Sequence, residues 1–311
     1  MRCRILFIIV KEGKKNKLEY VKPLLTFIDV DVDSCNDIFK SFMNPTHGEG
    51  KHIAIIIRGQ LRSFFKESVY KSLNSFIDRV REQNYEPVCF FYVNKKSSYD
   101  HDEWHYTKAV RNGFAENIED AKNKIRDIYA QYDKDNETKF KSIVSELSVK
   151  CVFEFYDEDL FVTEREKFKK QICPSLDCIA ANVHYFQHQL NRYGFKMVEC
   201  YETEHNIKFD KVITTRPDLT YNNLNNFYIP KSDNEVLWQW DLFRLFPRCV
   251  LDFLMKSEIF EKLVKTNKNE NIDYQDRQLI NHLLDLLILK IVNVKKIDLI
   301  HIKLVKISEL Y

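Results

Sequence analysis

The chain contains 311 residues, and its 48 basic and 46 acidic side chains leave a net charge of +2. Hydrophobic residues make up 44% of the sequence and charged residues 30%, which is the composition of an ordinary globular protein. The near balance of charge argues against a protein that coats nucleic acid or binds an anionic membrane surface.

The first 50 residues are predicted to form an extension with two short strands, at residues 5–10 (ILFIIV) and 27–32 (FIDVDV). The run 5–10 is much shorter than the roughly 20 residues that span a bilayer, and no small-residue cleavage site follows it. In residues 29–33 (DVDVD) carboxylates alternate with valine, a pattern typical of an exposed edge strand. Because no stretch of the sequence approaches transmembrane length, we predict no transmembrane segment. We assign the main domain to residues 51–311.

A strand–helix–strand unit is predicted at the start of the main domain. Residues 53–57 are an unbroken apolar run, which predicts a strand that is buried on both faces. Apolar side chains then recur at helical spacing from Phe65 to Val80, and residues 87–93 form a second apolar run. This order predicts two parallel strands joined by a right-handed crossover.

The rest of the chain continues the alternation of strands and helices. We predict a polar loop at 94–115, helices at 118–132, 139–147, 179–201 and 279–287, and strands at 149–156, 209–215, 235–240 and 299–307. Because strands and helices interleave throughout, the predicted class is α/β, with a mostly parallel sheet in a single domain.

The cysteine pattern predicts the cellular compartment. The eight cysteines include no C-x-x-C pair, and several, such as Cys89 and Cys151, lie inside apolar runs. Buried free thiols have this distribution, which favours a reducing, cytoplasmic setting.

Two of the predicted parallel strands end in polar or charged residues: Arg58, Gly59, Gln60 and Arg62 after the first, and Arg216, Pro217 and Asp218 after the strand at 209–215. Parallel sheets bind ligands at the carboxyl ends of their strands. Guanidinium groups can donate to phosphate oxygens in a forked geometry, and Asp218 can bind a divalent cation or a sugar hydroxyl. Alternatively, these charges form surface ion pairs that cap the strands.

Three segments of the sequence resemble those of a known family. Residues 53–64 (IAIIIRGQLRSF), 201–219 (YETEHNIKFDKVITTRPDL) and 240–243 (WDLF) resemble glycosyltransferase-like proteins of giant viruses and algae, over roughly residues 51–290. The resemblance implies the GT-A fold of nucleotide-diphospho-sugar transferases, and the host cytoplasm as the compartment if the chain is viral.

In that fold the loop after the first strand holds the nucleotide, and a strand-end Asp-x-Asp motif binds a metal and the sugar diphosphate. The resemblance therefore implies a donor site made of Arg58, Gly59, Gln60, Arg62, Arg216 and Asp218. Arg216 stands where the first Asp of the motif is expected, and Asp218 is the implied metal ligand. Because an arginine can itself neutralise diphosphate charge, we expect Mn²⁺ or Mg²⁺ to assist binding without being strictly required.

The acceptor side is predicted from two other segments. Trp238 and Trp240 can stack on sugar rings, and Asp241 directly follows them, although tryptophan is equally common in protein cores. Asp276 lies at the start of an apolar-faced helix, where a carboxylate also stabilises the helix end. In the resembling fold an acidic residue at this helix faces the acceptor, so Asp241 and Asp276 are both candidate catalytic bases, with Asp241 preferred.

Other polar clusters compete for these roles. Asp157 and Asp159 follow the third strand of the main domain and are a rival metal site, or a solvated acidic turn. Residues 101–105 (HDEWH) fit an exposed loop better than a metal site. His184 and His188 are four residues apart on a helix but lack the glutamate of a zinc-protease motif, so ordinary packing is favoured.

The sequence thus predicts a glycosyltransferase that uses a nucleotide-diphosphate sugar and a glycan acceptor, and no nucleic acid. Glycine-rich dinucleotide, P-loop and serine-hydrolase motifs are absent from the sequence. Two alternatives are a non-catalytic nucleotide-sugar or carbohydrate-binding protein on the same fold, and an unrelated α/β interaction protein.

Overall fold

The computed structural model describes residues 51–95, 103–156, 179–231, 235–239, 242–248, 293–296 and 300–302. The predicted N-terminal strands and the helix at 279–287 lie outside these ranges. The described strands are β1 (His52–Gln60), β2 (Glu86–Asn94), β3 (Lys150–Phe155), β4 (Lys211–Thr215), β5 (Leu219–Tyr221), β6 (Glu235–Gln239), β7 (Phe243–Pro247), β8 (Asn293–Lys296) and β9 (Ile300–Ile302). The described α-helices are α1 (Glu67–Arg81), α2 (Glu103–Arg111), α3 (Ile118–Tyr132), α4 (Asn136–Glu146) and α5 (Ile179–His205), and Arg62–Phe65 and Leu224–Asn226 form 3₁₀ turns.

The main sheet has the strand order β3-β2-β1-β4-β7-β6-β8. Strands β1 to β4 pair in parallel, β7 runs antiparallel to both of its neighbours, and β8 is parallel to β6. Six of these seven strands therefore point the same way, which confirms the predicted α/β class with a mostly parallel sheet. Strands β5 and β9 form a separate antiparallel pair.

The centre of the sheet is covered on both faces. Residues 53–57 of β1 are fully buried, as the unbroken apolar run predicts. Helix α1 buries Leu73, Phe76 and Val80 on one face, and α5 approaches the other face at Gly194. The predicted β1–α1–β2 unit is confirmed, because β1 and β2 pair in parallel along their whole length.

Two regions differ from the sequence prediction. Helix α2 lies inside the predicted polar loop, because Tyr106 and Ala109 are spaced to pack against Ala121 and Ile125 of α3. Strand β7 was not predicted from its short sequence FRLFP, and it forms because β4 and β6 supply partners on both of its sides. Its pairing therefore depends on residues that are distant in sequence.

Gly194 permits α5 to pack closely on the sheet. A Cβ atom at this position would lie 2.6 Å from Ile56 Cγ2. We expect Gly194→Ala to lower the free energy of unfolding by about 1–3 kcal/mol in urea denaturation, although alanine is the better helix former by about 1 kcal/mol. Combined with Ile56→Ala, which removes the clashing methyl, the substitution should cost less than the two single losses added together. A Gly194→Ala variant more stable than the wild type would contradict the close contact.

Candidate functional site

The strand order reverses between β1 and β4. The chain proceeds from β1 outward to β2 and β3, then returns to place β4 on the other side of β1. Ile57 is paired with Thr215, so the carboxyl ends of both strands lie at the same edge of the sheet. Open α/β sheets bind ligands outside the carboxyl ends of strands at such a reversal.

At this edge three predicted site residues meet, and we call them the Arg62–Asp218–Arg216 cluster. Arg216 donates from Nε to Asp218 Oδ1 at 2.9 Å and from Nη2 to Oδ2 at 2.6 Å. Arg62 Nη1 approaches Asp218 Oδ2 at 3.5 Å from the turn after β1. The carboxylate is therefore held in a forked geometry by one arginine and contacted by a second.

The cluster combines a buried anion with two partly exposed cations. The Asp218 side chain is 1% exposed, whereas those of Arg216 and Arg62 are 21% and 38% exposed. Guanidinium groups that are partly exposed above a buried carboxylate can donate to the oxygens of an anionic ligand.

The backbone of the turn after β1 is unusual at two residues. Gly59 has φ of 118°, a conformation that side-chain-bearing residues rarely adopt, and Arg62 has φ of 39°. The Gln60 side chain braces this turn, because its Oε1 accepts a 2.9 Å hydrogen bond from Arg62 Nε. The positive φ of Arg62 is a backbone strain in a non-glycine residue, and such strain is typical of functional sites.

Arg58 has a different environment from the other predicted donor residues. Its side chain is buried, and its Nε donates to Asn191 Oδ1 of α5. This hydrogen bond joins the end of β1 to α5, and α5 and α1 cover opposite faces of the sheet. The sequence contains no local signal for Asn191, which is 133 residues away from Arg58.

The end of β4 is fixed by a buried hydroxyl pair that the sequence prediction missed. Thr215 donates to the carbonyl oxygen of Leu242 at 3.1 Å, and its Oγ1 lies 2.9 Å from the Tyr221 hydroxyl. Burial raises the pKa of Tyr221 above its ordinary value, and the charge of Asp218 adds to this, while the Thr215 hydrogen bond opposes it. The pair anchors the segment from Thr215 to Tyr221, which includes Arg216 and Asp218.

The raised pKa of Tyr221 predicts a pH dependence of stability. The folded state favours the neutral phenol, so its contribution is complete below the unfolded pKa of about 10 and is lost as pH rises above that value. We expect the free energy of unfolding to fall less steeply above pH about 10 in Tyr221→Phe than in the wild type. Urea denaturation of both proteins across this pH range measures the difference, and identical slopes would contradict the assignment.

The predicted acceptor-side residues are described only in part. Trp240, Asp241 and Asp276 lie outside the described residues, as do Asp157 and Asp159, and Trp238 is described only as a backbone position in β6. The residues that flank 240–241 are described: Leu242 N donates to Gln239 O at 3.2 Å, and Leu242 O accepts from Thr215. These flanking residues therefore lie at the same sheet edge as the cluster.

The described surroundings of Asp218 differ from those that a divalent cation needs. Both of its oxygens accept from guanidinium groups, and hard cations prefer several oxygen ligands. Within the described part of the chain, no group of three or more His, Cys, Asp or Glu side chains could hold a metal ion. The described donor set around Asp218 therefore does not fit a divalent cation.

A groove of about 1030 Å³ lies at the opposite sheet edge, by the first residues of β1, β2 and β3. Arg81, Lys150 and His205 line it, and Lys150 Nζ lies 3.0 Å from His205 Nε2. Because α1 ends at Arg81, its guanidinium group offsets the negative end of the α1 dipole. This structural role accounts for the charge of Arg81 in the groove.

Comparisons with protein-family models, curated proteins and solved structures found no match to this chain. Among the described helices, none combines the length and the apolar character that crossing a bilayer demands.

Proposed function

We propose that the protein is a glycosyltransferase of the GT-A type, which transfers a sugar from a nucleotide-diphosphate donor to a hydroxyl group of a glycan acceptor. The observation that supports this proposal most is the Arg62–Asp218–Arg216 cluster at the strand-order reversal of the sheet. A crevice at that point is a ligand site in open α/β sheets, and the partly exposed guanidinium groups of the cluster suit the diphosphate of the donor.

The cluster also suits the chemistry of glycosyl transfer. As the bond between the sugar and the diphosphate breaks, negative charge accumulates on the leaving diphosphate. Partly exposed guanidinium groups that are already held in position stabilise such developing charge without having to reorganise. Arg62 and Arg216 are therefore assigned to leaving-group stabilisation.

Transfer to a hydroxyl group also needs a proton acceptor if the reaction inverts configuration at the sugar carbon. Asp241 is our first choice, because its described neighbours Gln239 and Leu242 are hydrogen-bonded to each other beside Thr215. Asp276 is the second choice, and Trp238 and Trp240 are assigned to the acceptor sugar.

The test is an assay of nucleoside-diphosphate release from a panel of nucleotide sugars, with and without oligosaccharide acceptors. We expect release from at least one donor, and we expect Arg216→Ala to lower kcat/KM about 10- to 100-fold, the loss of a charged hydrogen bond. Arg81→Ala is the matched control, since Arg81 lies at the opposite sheet edge. Equal activity of wild type and Arg216→Ala would contradict the assignment of the cluster.

The same screen separates the alternative functions. A non-catalytic binding protein is stabilised by a nucleotide sugar, by about 2.7 kcal/mol at a hundredfold excess over Kd, but releases no nucleoside diphosphate. An unrelated interaction protein shows neither stabilisation nor release. Many transferases slowly transfer sugar to water, so activity is detectable before the acceptor is identified.

A further inference from the structure

We infer that the Arg62–Asp218–Arg216 cluster is a metal-independent clamp for a diphosphate, in which Asp218 positions the two arginines and does not bind a metal. The inference rests on the proposed function for the identity of the natural ligand, a sugar diphosphate. The clamp itself rests on geometry and can be tested without any sugar.

The first argument is the occupation of the Asp218 carboxylate. Arg216 contacts both oxygens, at 2.9 and 2.6 Å, and Arg62 contacts Oδ2 as well. A cation that used these oxygens would have to displace a bidentate guanidinium, which is among the stronger hydrogen-bonded pairs in proteins. The partners of the carboxylate are therefore those of a residue that orients arginines.

The second argument is the distribution of burial. Asp218 is almost completely buried, and a buried carboxylate is stable when it is paired and hydrogen-bonded, as it is here. The two arginines are partly exposed above it. A ligand that approaches from solvent therefore meets the cations before it meets the carboxylate.

The third argument is that both arginines are held from separate, fixed points. Arg216 follows β4 directly and is joined to Pro217, whose Cδ would lie 3.9 Å from a Cβ atom added to Gly59 of β1. Arg62 is held by Gln60 in a left-handed backbone conformation. Two arginines that are positioned in advance lose little freedom when they bind the several oxygens of a diphosphate, which favours binding without a metal.

Calorimetric titration with inorganic pyrophosphate, in excess EDTA and separately in Mg²⁺, tests the clamp. We expect binding in EDTA, with a Kd no more than about tenfold weaker than in Mg²⁺. Arg62→Ala and Arg216→Ala should each weaken binding about 10- to 100-fold in EDTA, whereas Arg81→Ala, at the other sheet edge, should not. Binding that occurs only with Mg²⁺ overturns the inference, as does no binding under either condition.

Asp218→Asn distinguishes positioning from the other roles of the carboxylate. If Asp218 positions the arginines, Asp218→Asn weakens pyrophosphate binding to the same extent with and without Mg²⁺, even though it makes the site more positive. Asp218→Glu, which keeps the carboxylate, should then retain more binding than Asp218→Asn. A metal ligand would lose only the Mg²⁺-dependent part, and a merely opposing charge would give tighter binding; either result overturns the positioning role. Circular dichroism of each variant checks folding, and if Asp218→Asn does not fold, the two arginine variants still decide the clamp.

The proposed activity and the clamp can fail separately. Pyrophosphate binding in EDTA without sugar release from any donor contradicts the glycosyltransferase and leaves the clamp in place. Conversely, sugar release from a donor, together with pyrophosphate binding that occurs only in Mg²⁺, contradicts the clamp and leaves the glycosyltransferase in place.

Discussion

Replacing Asp241 by asparagine should lower the turnover of sugar transfer by about 10²–10⁴-fold, the usual contribution of a general base. The exchange keeps the size of the side chain and removes its capacity to accept the acceptor proton. Donor binding should remain, because the residues assigned to the diphosphate are Arg62 and Arg216. The thermal shift induced by the donor nucleotide should therefore equal that of the wild type.

Asp276→Asn is the matched comparison for this prediction. If Asp276 serves only to stabilise the start of a helix, its replacement should leave turnover close to that of the wild type. A large loss in Asp276→Asn with normal turnover in Asp241→Asn would transfer the role of base to Asp276. Near-normal transfer by both variants would contradict an inverting base at either residue and favour a retaining or substrate-assisted route.

Replacing Arg248 by methionine should lower the free energy of unfolding by about 3–5 kcal/mol. Arg248 is buried, and its Nε and Nη2 donate to the two oxygens of Glu202 at 3.0 Å each. The pair joins the end of β7 to α5, and the substitution leaves the largely buried Glu202 carboxylate without its main cation. Urea denaturation measures the loss.

An exposed ion pair provides the control for this loss. Lys124 and Asp120 are 45% and 29% exposed in α3, so Lys124→Met should lower the free energy of unfolding far less than Arg248→Met does. Adding Glu202→Gln to Arg248→Met should recover part of the stability, because no buried charge is then left unpaired. Equal small losses for Arg248→Met and Lys124→Met would show that the Arg248–Glu202 pair does not stabilise the fold.

The central strands of the sheet could be predicted because their sequences carry their own signal. An unbroken apolar run at 53–57 requires a strand covered on both faces, and the structure provides α1 and α5 as the covers. Strand β7 carries no such signal, because it contains Arg244 and ends in Pro247. It forms only where β4 and β6 lie on either side of it, and local sequence does not encode this arrangement.

The candidate site could likewise be predicted only in part: its strand ends are visible in the sequence, and the contacts between them are not. Each strand end is marked locally by a change from apolar residues to arginine, and parallel strands bring such ends to one edge. That β4 lies directly beside β1 is a property of the strand order, which local patterns do not specify. Contacts such as Arg58 with Asn191, and Thr215 with Tyr221, depend on that packing, so they could be identified only from the structure.

The most direct test of the account is a crystal structure of the protein with a bound nucleoside diphosphate, chosen by thermal-shift screening. We predict that the diphosphate lies at the carboxyl ends of β1 and β4, with oxygens about 2.7–2.9 Å from guanidinium nitrogens of both Arg62 and Arg216. The carboxylate of Asp218 should still be paired with Arg216. A diphosphate bound in the groove at Arg81, Lys150 and His205, or held to Asp218 by a metal ion that displaces Arg216, would contradict it.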